Sequence, residues 1–186
     1  VDDAAEALAS LGHDVFRRDP DWGNIGNNIT VRYLRGIHDD VALVPHPERL
    51  ERRTRGFGRL GAPFSDGLLA RARAAEANDW RRVGAVFEHC DVLMTPVMGR
   101  TAIPVRRWEG RGAARIIAEM PRPHPFTSPW NHLGNPAASV PFGFSADGLP
   151  LAVMLVGRPG DEATLLSLSA QIEAERPWLD RRPPVG

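Results

Sequence analysis

Nucleophilic chemistry in this chain would have to start from one of seven serines, Ser10, Ser65, Ser128, Ser139, Ser145, Ser167 or Ser169, or from the single thiol, Cys90. A serine hydroxyl attacks only when a base removes its proton. All 23 basic residues are arginine and there is no lysine, so Ser-Lys, Schiff-base and P-loop lysine mechanisms are excluded within these residues. No serine sits in a G-x-S-x-G elbow. A Ser-His-Asp triad is assembled by folding rather than by sequence, but no serine here has the glycine-rich surroundings that let a backbone approach a substrate.

His89-Cys90-Asp91 places a thiol between an imidazole and a carboxylate. Adjacent residues point in different directions, so the expectation for Cys90 is a small buried filler at a helix-to-strand junction. His38, Asp39, Asp40, His46 and Glu48 fit no common metal-ligand spacing, and no metal or other cofactor is expected. These residues, with His124 and His132, are expected on the surface or as loop hydrogen-bond partners. Asn28-Ile29-Thr30 matches a glycosylation sequon by pattern alone. The arginine-rich run from Arg49 to Arg59 has two readings, an anion patch or a solvated segment balanced by Glu48 and Glu51, and the second is favoured in a chain of zero net charge. Trp130-Asn131, between a proline-rich loop and Gly134-Asn135-Pro136, has an aromatic and an amide that could face a pocket or simply pack and tie down the loop.

These groups have to be held by a scaffold, and the composition allows one. With 186 residues, 42% hydrophobic and 25% charged, the chain has the make-up of a single globular domain. Zero net charge provides no field to attract nucleic acid or an acidic membrane. One cysteine excludes an internal disulfide and suits a reducing cytoplasm. No basic region followed by an apolar run opens the chain, and no apolar stretch approaches the ~20 residues of a membrane span. The first residue is not methionine, which is compatible with processing or with a missing upstream segment.

Apolar periodicity predicts a helix over 1–11 stopped by Gly12, and a short strand over 13–16, as the second half of a β-α-β unit whose first strand lies elsewhere. A helix is predicted over 24–35 and an irregular region over 36–65. Ser65 and Asp66 are expected to cap one long helix running to about residue 89. A buried strand follows over 91–95, ended by Pro96, then an irregular 97–125 with one helical turn near 113–120. Ala138 to Phe144 and Leu151 to Val156, joined through Asp147-Gly148, predict a hairpin. Asp161 and Glu162 open a closing helix stopped by Pro177, and 178–186 is expected to be a tail, frayed from 181.

In this order the C-terminal segments resemble the amidase signature family. Asp91-Val92-Leu93-Met94-Thr95-Pro96 resembles its "DvLltP" strand. Phe126 to Ala137, FTSPWNHLGNPA, resembles its "FT-x-P-x-N-x-x-G-x-P-A" segment. Val140-Pro141-Phe142-Gly143, Asp147-Gly148-Leu149-Pro150, Leu155-Val156-Gly157, Asp161-Glu162 and Pro177-Trp178 continue in register, and Leu8 to Val15 is similar to the family's "LeaLGHeV". Met154 stands where the family commonly has glutamine, and packing is its expected role.

The resemblance implies an α/β fold, part of an α/β/α sandwich with a mixed sheet that is incomplete at its N-terminal side. It implies that residues 1–186 are the C-terminal portion of a single amidase-type domain. The family's serine, second serine and lysine belong to a stretch that nothing here matches, so no catalytic residue carries over and this chain alone is expected to be inactive. By the same resemblance Thr95, Pro96, Val97, Met98, Trp130 and Asn131 are candidates for the substrate-pocket wall. The implied partners are the N-terminal half of the domain and a small-molecule amide, without nucleic acid or membrane, and a homodimer is left open. The competing readings are a tRNA-dependent amidotransferase A-type subunit and a non-catalytic interaction module.

Overall fold

The computed structural model describes residues 1–181, so from residue 182 onward the expected tail lies outside the described residues. The architecture follows from one strand. In β3 (Pro150–Val156) the consecutive side chains Val153, Met154, Leu155 and Val156 are all buried. Strand side chains alternate between faces, so these four supply two separate cores. Val153 and Leu155 pack with Ala4 and Leu8 of α1 (Asp2–Ser10) and with Leu165 and Ile172 of α8 (Glu162–Glu175). Met154 and Val156 pack on the other side with Ile25 of α2 (Ile25–Leu43), Val83 of α5 (Glu76–Val83), Val86 and Phe87 of the 3-10 turn Gly84–Glu88, and Trp130 and Leu133 of α7 (Ser128–Leu133). Helices therefore cover both faces of the sheet, an α/β/α layering.

Among the described residues the sheet has three strands in the order β1-β3-β2, with β1 (Leu93–Pro96) and β2 (Ala137–Phe144) each antiparallel to β3. Leu93 and Ala137 flank Val156, and Pro96 and Val140 flank Val153, so the central strand is held in register from both sides. The β2–β3 hairpin forms as expected. The Ser145 N–H donates to the Leu149 carbonyl at 2.8 Å, and Gly148 takes the left-handed conformation, φ 75°, that the turn requires. Met154 packs, as its departure from the family pattern implied.

Three expectations need correction. The predicted strand over 13–16 is irregular. Val15 and Phe16 are 39% and 47% exposed, and no described strand lies beside them to complete a ladder. The 36–65 region is largely helical: α2 continues to Leu43, and α3 spans Arg52–Gly61. The glycines of α3 mark close approach between helices, not breaks. A Cβ at Gly61 would stand 2.0 Å from the Leu34 carbonyl oxygen, one at Gly58 3.1 Å from Val41, and one at Gly56 2.9 Å from the Ala113 Cβ. This lets Leu34, Phe57, Ala113 and Ile116 close a third core between α2, α3 and α6 (Ala113–Glu119). The long helix predicted over 66–89 is divided into α4 (Asp66–Ala74), α5 and the 3-10 turn. The Ser65 hydroxyl does cap it, accepting from the Leu68 N–H at 3.3 Å. The division lets α4 bury Leu69 and Ala72 while α5 turns Asp79 and Val83 inward.

At the end of α6, Glu119 gathers the loop before it. It accepts from Arg115 at 3.0 Å, Arg111 at 3.4 Å and the Trp108 indole at 3.3 Å. The Arg115 hydrogen bond, with Trp108, Arg111 and Arg107, holds its carboxyl below the usual carboxylate range against an opposing effect of burial.

The double-sided burial of β3 sets the expected stability pattern. Leu155→Ala should cost about 2–5 kcal/mol, because truncation leaves a cavity where both flanking strands are fixed. Leu166→Ala, at a side chain 69% exposed on α8, should stay within about 0.5 kcal/mol. Urea unfolding of both variants checks the contrast.

Candidate functional site

Thr95 and Pro96 end β1, Val97 and Met98 follow it, and all four are half-buried. Val97 packs against the core that contains Trp130, so the structure brings these two candidates together. Trp130 is 2% exposed and meets Trp22 and Phe87 edge-on, with ring centroids 5.5 and 6.2 Å away. Its indole N–H is buried and has no hydrogen-bond partner among the described residues. Asn131, the next residue of α7, is exposed. The Thr95 hydroxyl donates locally, to the Pro96 carbonyl at 3.1 Å. Two surface clefts, of about 830 and 430 Å³, are lined by other residues.

Beside Trp130 lies a polar cluster that the sequence reading did not anticipate. α2 contributes Asn28 and Arg32, four residues apart on one face, and α5 contributes Glu76, Asp79 and Arg82 at intervals of three. α7 contributes His132. The Asp79 and His132 side chains are 4% and 2% exposed. Asp79 Oδ2 accepts from Asn28 Nδ2 at 2.7 Å and from His132 Nε2 at 3.1 Å, while its Oδ1 accepts from Arg82 Nη2 at 3.2 Å. Arg32 Nη1 lies 2.6 Å from Glu76 Oε2, 3.0 Å from His132 Nδ1 and 3.1 Å from the His132 carbonyl, so its two hydrogens serve Glu76 and, shared between them, the two His132 acceptors.

This geometry fixes the histidine tautomer. A guanidinium can only donate, so Nδ1 must accept and the ring proton sits on Nε2, facing Asp79. With both nitrogens engaged and no serine hydrogen bonded to it, His132 has no free lone pair to act as a general base. The cluster is a tie between three helices, and it places α7 and therefore Trp130. His132, expected on the surface or in a loop contact, is in fact a buried partner. Asn28 of the sequon pattern is committed to the same cluster. The available sequence signal was the helical spacing of Asn28/Arg32 and Glu76/Asp79/Arg82, which aligns polar side chains on faces directed inward.

Cys90 fills space next to the core and donates weakly to the Val86 carbonyl at 3.5 Å. Burial pushes its thiol above the ordinary cysteine value, with Arg158 opposing. His89 is exposed. Arg158, just beyond β3, donates to the carbonyls of Phe87 and Cys90 at 2.7 and 3.0 Å and to Asp91 at 3.1 Å, which clamps the turn leading into β1. His38 meets the Gly58 carbonyl at 3.0 Å and His46 meets Glu48 at 3.2 Å. Among the described residues no group of three or more His, Cys, Asp or Glu side chains could hold a metal ion. No described serine hydroxyl is hydrogen bonded to a histidine or carboxylate; those of Ser10 and Ser169 donate to carbonyls, and those of Ser65 and Ser145 accept from backbone N–H groups.

The family model described as Amidase matches residues 22–166. A Mycobacterium tuberculosis protein described as "Putative amidase AmiB2" is 46% identical over 186 residues, which is all of this chain and 40% of that protein. The 6-aminohexanoate-cyclic-dimer hydrolase of Pseudomonas sp. is 32% identical over 206 aligned residues, covering 97% of this chain and 40% of its own length. A solved structure of 6-aminohexanoate cyclic dimer hydrolase superposes with a TM-score of 0.81 at 28% identity, over 98% of this chain and 42% of that one. The chain thus spans about two fifths of the length of the relatives it matches.

Asp79→Ala strands three donors in a buried site and should destabilise by about 3–5 kcal/mol. Glu76→Ala, breaking a pair with side chains 30% and 44% exposed, should cost about 0–1 kcal/mol. Equilibrium unfolding measures both. Cys90 should alkylate far more slowly at neutral pH in the folded protein than after denaturation, as followed by a thiol-reactive chromophore.

Proposed function

The chain belongs to the amidase family, and we propose that it is the C-terminal, pocket-lining and scaffold portion of an enzyme that hydrolyses carboxylic amides by a Ser-Ser-Lys mechanism, with that triad outside residues 1–186. One observation carries this reading. Among the described residues no acyl-transfer machinery is assembled: there is no lysine, no serine hydroxyl is hydrogen bonded to a histidine or carboxylate, and both His132 nitrogens are taken. Chemistry of the family's kind therefore needs groups from other sequence. In the whole enzyme the activated serine adds to the amide carbonyl, the amine leaves with a proton, and water releases the acid from the acyl-enzyme.

In this reading Thr95, Pro96, Val97, Met98, Trp130 and Asn131 form part of the pocket wall for a small-molecule amide. Half-buried residues at the end of β1, next to a Trp130 held by the polar tie, suit that role. No cofactor enters the reaction. A reducing cytoplasm suits the lone thiol, and no helix among the described residues is long and apolar enough to cross a membrane.

The test compares residues 1–186 alone with the same chain joined to its adjoining N-terminal sequence, measuring ammonia release from simple aliphatic and aryl amides. Only the joined form should hydrolyse them, and a serine-directed reagent should abolish the activity. Robust, reagent-sensitive hydrolysis by 1–186 alone would overturn the proposal. In the joined form Asn131→Ala should leave stability unchanged and raise KM.

A further inference from the structure

We propose that the cleft between α3 and the 103–113 loop is a binding site for a small organic dianion carrying two acidic groups. The inference concerns binding alone and does not depend on the amide-hydrolysis reading. The cleft encloses about 830 Å³ and is lined by Arg52, Arg53 and Arg59 from α3 and by Arg106, Arg107 and Arg111 from the facing loop. Set against these six arginines are Glu51 and Glu109, which border the same space, and Glu119, which pairs with Arg107 and Arg111, leaving a local charge of +3 on a chain whose net charge is zero. Six guanidiniums around one concavity repel one another unless an anion lies between them.

The internal pairing leaves a specific pair of donors over. Arg53 meets Glu51 at 3.2 Å and Arg106 meets Glu109 at 3.4 Å. Arg107 and Arg111 share Glu119, which also holds Arg115. The Arg52 and Arg59 guanidiniums have no hydrogen bond or ion pair among the described residues. They lie seven residues apart on α3, two helical turns, so they project from one face about 10 Å apart along the axis. Each guanidinium offers a fork that matches one carboxylate or phosphate. Two such forks at that separation suit two acidic groups on one molecule better than one inorganic ion. At the lip, Arg106 holds φ 65°, a left-handed conformation that is costly away from glycine, and the adjacent Val105 is 91% exposed.

A polynucleotide fits less well. The charge lines a concavity instead of a stripe. The nearby aromatic ring, Trp108, is half-buried, with its N–H donating to Glu119 and its ring centroid 6.4 Å from that of His124, and a single ring is fewer than the succession of stacking platforms that a nucleic-acid strand uses.

Calorimetric titration tests this on the protein as it is encoded, with any sequence that adjoins residues 1–186. The probes are glutarate, inorganic phosphate, neutral glutaramide and a short oligothymidylate. Glutarate should bind saturably at one site per chain, phosphate more weakly and glutaramide not at all. Arg52→Ala/Arg59→Ala should weaken glutarate at least about tenfold, the loss of one bidentate pair, with circular dichroism and Tm unchanged. Should that variant fail to fold, Arg106→Gly serves instead. It relieves the left-handed backbone while deleting a lining charge, so it should bind glutarate more weakly at an equal or higher Tm. Absence of saturable glutarate binding at low salt, or binding indifferent to the variants, overturns the proposal. Phosphate binding as tightly as glutarate removes the two-group reading. Oligothymidylate binding with a steep salt dependence while glutarate does not bind replaces the site with a polyanion surface.

Discussion

The structure depends on β3 being buried on both faces at once. A surface strand needs one apolar side, whereas Val153 to Val156 present four apolar side chains in a row, alternating into two cores. That requirement places α1 and α8 on one side and α2, α5 and α7 on the other. It also demands a hydrogen-bonded neighbour on each edge of β3, which β1 and β2 provide in opposite positions around Val156 and Val153. The end of β1, where Thr95 and Pro96 lie, is thereby fixed relative to Trp130 by the same central strand.

Polar ties then set what the apolar layers leave free. Hydrophobic packing is non-directional, so by itself it would allow α7 to slide or rotate against the sheet. The Asp79 carboxylate, with donors from α2, α5 and α7, removes that freedom. Arg158 does the same for the turn between the 3-10 helix and β1, where one guanidinium holds two carbonyls and a carboxylate. Buried ion pairs are poor sources of net stability, and their contribution here is orientation: they decide which side of α7 is buried with Trp130 and which presents Asn131 to solvent.

The legible parts of the sequence were those governed by local rules. The apolar run of β3, the Asp147-Gly148 turn and the Ser65 cap each have a short-range physical cause, and each appears where expected. The ordered family segments carried the α/β class and the likeness to amidase-signature enzymes. The glycines of α3 misled, because local reasoning treats Gly56, Gly58 and Gly61 as breakers. Their cause is the Leu34 carbonyl, Val41 and Ala113, which are near only after folding. The strand expected over 13–16 failed for the complementary reason: its composition was suitable, but no described strand lies beside it.

By itself the sequence determined that lysine-based chemistry could not start in these residues, which needs no coordinates, and it determined where the central buried strand and the hairpin lie. The tertiary structure alone decided the fate of His132. Two helices distant in sequence supply Asp79 and Arg32 to its two nitrogens, and a side chain's protonation geometry is a property of its neighbours. It likewise decided that arginines from α3 and from a loop some fifty residues on surround one space. Charge in a sequence is a sum, whereas the field in a cleft depends on which charges folding brings face to face.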